Sequence, residues 1–104
     1  MVSEENLELS TLEVAVGAGD ADNSGSVAGA LEALLLLTAE PVTEFELAQA
    51  VGVPESVVAE TLAELVAFYT ETGRGFELRQ VGGGWRYYTR EEYADLITRY
   101  VMDG

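Results

Sequence analysis

Hydrophobic residues recur at helical spacing from Ser26 onward, which predicts a series of amphipathic helices. The first covers SVAGALEALLLLTAE, is capped by Ser24 or Ser26, and ends before Pro41, because the residue before a proline avoids helical geometry. Its inward side is expected to carry Val27, Leu31, Leu34, Leu35 and Thr38.

A second and a third helix are predicted to follow, joined by a tight turn. Thr43 and Glu46 have the spacing of a capping box, so they begin the short helix TEFELAQAV, which ends at Gly52. Pro54 is expected at the first position of the third helix, which runs to about Thr72. The apolar stripe expected to face the core of that helix is Val58, Leu62, Leu65 and Tyr69.

The junction of these two helices has the spacing of a helix-turn-helix. Ala48 is small where the helices touch, Gly52 turns the chain, and Val58 faces back into the core. The strands of a hairpin follow, and then a further helical pattern. The favoured fold is therefore an α+β winged helix-turn-helix, with three helices, a two-stranded wing and a C-terminal helix, over residues 25–104.

The register of the wing follows from its glycines. A two-residue turn at Gly82 and Gly83 supplies the positive φ that both of its positions require. Arg79 then faces Arg86 on the outer side. The four apolar side chains fall together on a core-covering side: Phe76, Leu78, Trp85 and Tyr87.

The last helix is predicted to start at a second capping box, formed by Thr89 and Glu92. One of its faces is apolar and comprises Tyr93, Leu96, Ile97, Tyr100 and Val101.

Charge is distributed unevenly along the chain, which has a formal net charge of −14. Residues 1–24 hold six acids and no base, which predicts an acidic disordered tail that either aids solubility or docks on a basic partner. The remaining 13 acids and five arginines leave the body at −8. The folded part is acidic in its own right.

Composition excludes several kinds of chemistry. The chain has no cysteine and no histidine, which removes disulfides, thiolate and imidazole metal sites, and the usual general base near neutral pH. No metal, cofactor or catalytic constellation is expected. An apolar run of about 18 residues and a signal-peptide pattern are both missing, so we expect a cytoplasmic protein without a membrane segment.

The third helix is acidic on the side that a DNA-binding winged helix would lay into the major groove. At about 100° per residue, Glu60, Glu64 and Glu71 point outward with Ala67. Because DNA affinity comes mainly from cations that neutralise phosphates, tight DNA binding is not expected.

The first helix carries Leu36 where a polar residue is expected, nearly opposite the core stripe. Its neighbours on that side are Gly29, Glu32 and Ala33. Leu36 is either a lone exposed leucine, which is common, or part of a protein interface. The candidate interface residues, of a dimer or a partner contact, are Leu36, Leu37, Phe68 and Tyr88.

The outer face of the wing pairs two like charges, Arg79 and Arg86, which costs about 0.2–1 kcal/mol. The two arginines either clamp an anionic partner, a carboxylate or a phosphate, or are neutralised by Glu77, which lies diagonal to Arg86.

Two stretches, ALEALLLLTAEPVTEFELAQAVGV and GRGFELRQVGGGWRYYTREEY, resemble the N-terminal half of the segregation and condensation protein B family. The matched features are an A-L-L-x-x-x-x-E-P-V segment, a G-R-G-F-E-L wing start, a G-G turn before an aromatic residue, and T-R-x-E-Y. They cover about residues 27–101.

The resemblance implies a non-catalytic adaptor of the bacterial SMC condensin in chromosome condensation and segregation. Such a subunit is a homodimer that binds the kleisin and, through it, the SMC ATPase, and is nucleoid-associated in the cytoplasm. Family members usually carry a second winged-helix domain, which this chain, ending at Gly104, is expected to lack as an isolated or truncated N-terminal domain. The alternative is a DNA-binding winged-helix transcription regulator, which the outward glutamates disfavour, and an enzyme is the least favoured class.

Overall fold

The computed structural model describes residues 25–103, so the predicted acidic tail at 1–24 lies outside the described residues. The predicted order of elements and the α+β winged-helix fold are confirmed. The elements are α1 (Val27–Leu36), α2 (Glu44–Val51), α3 (Glu55–Glu71), β1 (Phe76–Val81), β2 (Gly84–Thr89), a 3₁₀ turn (Glu91–Tyr93) and α4 (Ala94–Asp103).

Helix α1 begins where expected and ends earlier than expected. The Ser26 hydroxyl caps it by accepting a hydrogen bond from the Gly29 N–H at 2.9 Å. The helix stops at Leu36, so Thr38 lies beyond it, exposed, and donates its hydroxyl to the Glu40 carbonyl at 3.1 Å. The prediction that Thr38 belongs to the inward side was wrong, because the chain has left the helix before it.

The predicted capping box of α2 is present. The Glu46 N–H donates to the Thr43 hydroxyl, and the Glu46 carboxylate accepts from the Thr43 N–H, both at 3.0 Å. Gly52 ends the helix at a φ of 84°, where a side chain would be strained. Pro54 is the N-cap of α3, in an extended conformation, and not its first helical residue as predicted.

The core lies between the three helices and the inner face of the wing. All four predicted stripe residues of α3 are buried, and Val58 and Leu62 are completely so. Burying such a side chain contributes roughly 1.5–3 kcal/mol. The complete buried apolar set is Leu31, Leu35, Leu47, Ala48, Val58, Leu62, Leu65, Tyr69 and Leu78.

The register of the wing is the predicted one. Leu78 faces Tyr87 and Arg79 faces Arg86, around a turn in which Gly82 and Gly83 have φ values of 55° and 84°. The loop between α1 and α2 adds a short bridge to β2 that the pattern did not predict. In that bridge, the N–H groups of Val42 and Trp85 donate to each other's carbonyls at 2.9 and 2.7 Å.

The start of α4 differs from the prediction. Thr89 is the last residue of β2, opposite Phe76, and is therefore not a helix cap. Arg90 takes the N-cap position of the 3₁₀ turn without a side-chain capping bond. The second capping box was wrong because pairing with β1 holds Thr89 in the strand.

Candidate protein-interaction site

An open groove of about 540 Å³ lies between α1, the end of α3 and the inner face of the wing. The outward side of α1 forms one wall, and the aromatic residues of the wing form the other. Its lining residues are Gly29, Glu32, Ala33, Leu36, Tyr69, Phe76 and Tyr87. The groove therefore contains Leu36 together with the small neighbours that the helical pattern assigned to the same side.

A chain of hydrogen bonds joins α1, α3 and the wing beneath the groove. The Tyr69 hydroxyl donates to Glu32 Oε2 at 2.5 Å and lies 2.7 Å from the Tyr87 hydroxyl. Because the Tyr69 proton is directed to the carboxylate, the Tyr87 hydroxyl donates to the Tyr69 oxygen. The network fixes α1, α3 and the wing relative to one another.

The same surroundings raise the pKa of both phenols. Burial is the largest cause of the raised pKa of Tyr69, and its hydrogen bond to Glu32 raises it further. Burial is also the largest cause of the raised pKa of Tyr87. Both hydroxyls stay protonated near neutral pH and serve as hydrogen-bond donors.

The walls above this network are apolar and open to solvent. The Phe76 ring packs edge-on against Tyr69 and Tyr87, with centroid distances of 4.9 and 5.5 Å, and remains 39% exposed. Leu36 is 77% exposed on the opposite wall. Two large apolar side chains facing one open groove are typical of a protein interaction surface.

The structure separates the four candidate interface residues. Leu36 lies in the groove, whereas Leu37 lines a different hollow with Pro41 and Ala50. Phe68 is half exposed on α3, with the Arg74 guanidinium 5.9 Å from its ring centroid. Tyr88 lies beside the two arginines of the wing, opposite in direction to Tyr87, since successive strand residues point to opposite faces.

The aromatic wall of the groove was not assigned to an interface from the sequence. Phe76 and Tyr87 were expected only to cover the core. A signal was available, since a tyrosine at the end of a core stripe needs a partner for its hydroxyl. For Tyr69 that partner is Glu32, on the same side of α1 as Leu36.

The two arginines of the outer face lie close to one aromatic ring. The guanidinium carbons of Arg79 and Arg86 are 4.4 and 4.8 Å from the Tyr88 ring centroid. Glu77 lies 4.0 Å from Arg79 and 3.6 Å from Arg90. Among the described residues, Glu77 thus pairs with Arg79 of the proposed pair and with Arg90, and it makes no ion pair with Arg86.

The outward side of α3 carries the acidic residues that its pattern predicted. Glu60, Glu64 and Glu71 are all exposed. Residues 25–72 together hold eight carboxylates and no base. The surface that would face DNA in a DNA-binding winged helix therefore repels phosphates.

Helix α4 provides a second apolar surface. Leu96, Tyr100 and Val101 lie on its predicted apolar face and are 54%, 77% and 66% exposed. Within residues 25–103, no helix is long and apolar enough to cross a membrane. The same residues contain no group of three or more acidic side chains arranged to hold a metal ion.

The chain is similar to one family along most of its length. The family model for "Segregation and condensation complex subunit ScpB" matches residues 29–104. Segregation and condensation protein B of Symbiobacterium thermophilum is 38% identical over 72 residues, which cover 69% of this chain and 33% of that relative. The chain thus spans about a third of that curated relative's length.

Solved structures show the same fold. The crystal structure of ScpB from Mycobacterium tuberculosis matches with a TM-score of 0.72 and 37% identity, over 75% of this chain and 49% of that one. A dimer of the ScpB N-terminal domain complexed with ScpA peptide matches with a TM-score of 0.67 and 24% identity, over 70% and 91% of the two chains. The chain belongs to the family of the segregation and condensation complex subunit ScpB.

Proposed function

We propose that this chain is a non-catalytic dimerisation and kleisin-binding module of a bacterial SMC condensin. It acts in chromosome condensation and segregation, in the cytoplasm, and reaches the nucleoid through the complex and not through tight DNA binding of its own. Family membership supports this assignment. The observation that carries it is the apolar groove beside Leu36, on a winged helix whose outward α3 face is acidic.

A second copy of the chain is the occupant that the groove fits best. The groove and the exposed face of α4 are both apolar, and each has large side chains in contact with solvent. In a twofold dimer each contact occurs twice, so two such surfaces bury each other symmetrically. The solved dimer of an ScpB N-terminal domain, which is also complexed with an ScpA peptide, supports both the self-association and the kleisin partner.

The non-catalytic part of the proposal rests on the character of the groove. Its polar groups are one carboxylate and two phenols, and these are already hydrogen-bonded to one another. Both phenols have a raised pKa, which makes them poor bases and poor nucleophiles near neutral pH. The network holds the fold together and leaves an apolar surface for a protein.

Replacing Leu36 by Glu tests the dimer. The domain is expected to stay folded, because the side chain is 77% exposed. It is expected to lose self-association in sedimentation velocity, since an unpaired carboxylate buried at an interface costs several kcal/mol. Ala67→Glu, which adds the same charge on the outward side of α3, is the matched control. Leu37→Glu tests the neighbouring hollow.

Two results would contradict the dimer contact. Unfolding of Leu36→Glu would place Leu36 in the core, and an unchanged dimer of the folded variant would place the contact elsewhere. Binding of the cognate kleisin subunit, measured by calorimetry with the wild-type chain, tests the partner separately. Submicromolar binding to duplex DNA that weakens steeply with salt would instead favour the transcription regulator.

A further inference from the structure

The outer face of the wing concentrates positive charge in an otherwise acidic domain. Residues 74–90 hold four of the five arginines and a single glutamate, whereas every charged residue in 25–72 is a glutamate. This face points away from the groove and from the core, because Arg79, Arg86 and Tyr88 alternate with the inward residues of the two strands. A dimer formed through the groove would leave it accessible.

Two arginines on this face are pre-positioned. Arg79 and Arg86 lie directly opposite each other across the two strands. Both guanidinium groups lie within 4.8 Å of the Tyr88 ring centroid, at cation–π distance. A guanidinium held beside a ring keeps N–H groups free along its edge, and these can bind a carboxylate in bidentate geometry.

The positive charge of this pair is only partly neutralised. Glu77 is shared, at 3.6 Å from Arg90 and 4.0 Å from Arg79. Arg90 is held by the fold itself, since its Nε donates to the Arg74 carbonyl at 2.9 Å. Within residues 25–103, Arg86 has no carboxylate oxygen within 4.0 Å. Two cations placed face to face in this way are stabilised by an added anion.

We propose that the outer face of the wing binds an extended acidic peptide segment of a partner protein, whose carboxylates pair with Arg79 and Arg86. A peptide can place two carboxylates on this face without approaching the acidic helices. A nucleic-acid duplex is a continuous polyanion and would meet a folded body, residues 25–104, that has a net charge of −8 even with the wing included. Charge complementarity therefore favours the peptide. The proposal does not depend on the dimer or on the kleisin.

The test is a titration of the ¹⁵N-labelled full chain with a short oligo-glutamate peptide, followed by NMR. Oligo-glutamine serves as the uncharged control peptide. We expect salt-sensitive shifts of the amides of residues 77–80 and 85–88 with the glutamate peptide only. Arg79→Gln combined with Arg86→Gln is expected to weaken binding at least tenfold. Arg99→Gln, which removes one positive charge from α4, is expected to leave binding within twofold of wild type.

Further variants separate charge from geometry. Replacing both arginines by Lys keeps the charge and removes the planar fork, so binding is expected to fall between the wild type and the glutamine variant. Tyr88→Leu is expected to weaken binding several-fold, because it removes the ring beside which both guanidinium groups lie. All of these side chains lie on the outer face, and thermal melts check that each variant is folded.

Several results would overturn the proposal. One is the lack of wing shifts with oligo-glutamate, and another is equal binding by the glutamine double variant. Tighter binding of the wing to a short DNA duplex than to the peptide would assign the site to nucleic acid. If the peptide binds only after the six acids of residues 1–24 are changed to their amides, the chain's own segment is the occupant and the assignment to a partner is wrong.

Discussion

Helices α3 and α4 each carry a continuous apolar stripe, and the two stripes lie in opposite environments. Along α3, the four stripe residues from Val58 to Tyr69 are at most 7% exposed. Along α4, Leu96, Tyr100 and Val101 are at least 54% exposed, although this stripe is separated more cleanly from polar residues than that of α3. The pattern of a helix shows that it has an apolar face, and it does not show what covers that face.

The two stripes differ in exposure because different connections precede the two helices. Helix α3 follows the turn of the helix-turn-helix, which returns it against α1 and α2, and the wing then covers it from β1. Helix α4 follows a 3₁₀ turn at the open end of the hairpin. There the surface of the core is already covered by the wing. The apolar stripe of α4 stays exposed within the described residues, and the proposed dimer would cover it.

The most direct test of the difference between the two stripes is to shorten one leucine in each of them. Leu62→Ala is expected to lower the free energy of unfolding by about 2–5 kcal/mol, because it leaves a cavity in a fully buried site. Leu96→Ala, the same change at an exposed site, is expected to cost no more than about 0.5 kcal/mol in the monomer. Urea denaturation at concentrations below the dimer dissociation constant measures both.

A large loss of stability in the monomeric Leu96 variant would show that α4 packs on the core. The comparison would then fail. If Leu96→Ala lowers the free energy of unfolding only at high protein concentration, the α4 stripe takes part in a subunit contact, because stability that depends on concentration reports association.

Much of the packed part of the fold, which includes α2, α3 and the wing, was predictable from the sequence because its determinants are local. The capping box of Thr43 and Glu46 and the register of the wing each follow from residues close together in the chain. Gly82 and Gly83 determine the turn, and the turn then determines every cross-strand pair. Such features need no knowledge of the rest of the fold.

The parts that could not be predicted depend on contacts between distant segments. The bridge between Val42 and Trp85 joins a loop to a strand far along the chain, and the groove needs α1 and the wing in their final positions. Thr89 has the spacing of a helix cap and is nevertheless held in β2 by pairing with Phe76. In each case, tertiary pairing determined a conformation that the local pattern left open or predicted wrongly.

At the turn end of the wing, the backbone of Gly84 approaches the α1–α2 loop closely. A Cβ at Gly84 would lie 2.8 Å from Pro41 Cβ and 2.9 Å from the Pro41 carbonyl carbon. Gly84→Ala is therefore expected to push β2 away from Val42 and to cost about 1–3 kcal/mol of stability. Gly75→Ala is the matched control, since its Cβ would meet only a Tyr93 ring carbon at an ordinary 3.8 Å. Equal thermal melts of the two variants would mean that this approach does not hold the wing.

A smaller effect is expected for α3 at alkaline pH, because this helix contains a buried tyrosine near its C-terminal end. The chain has no lysine and no cysteine, so tyrosines are the side chains that titrate between about pH 9 and pH 12. Burial raises the pKa of Tyr69 in α3 above the ordinary value of 10.0, and its bond to Glu32 adds to this.

The direction of the pH effect follows from proton binding. Above pH 10.0 the unfolded chain releases the Tyr69 proton while the folded chain keeps it, so the stability that Tyr69 contributes is complete below pH 10.0 and is lost as the pH rises further. The loss approaches about 1.4 kcal/mol per pH unit for one such group. Tyr69→Phe is expected to cost about 1 kcal/mol at neutral pH, through the lost hydrogen bonds, and to make the decline above pH 10 shallower. Tyr87, whose pKa is also raised, retains part of the slope. Urea denaturation from pH 8 to pH 11.5 measures the decline. The same slope in wild type and Tyr69→Phe would show that the phenol at the end of the buried stripe ionises as freely in the folded chain as in the unfolded one.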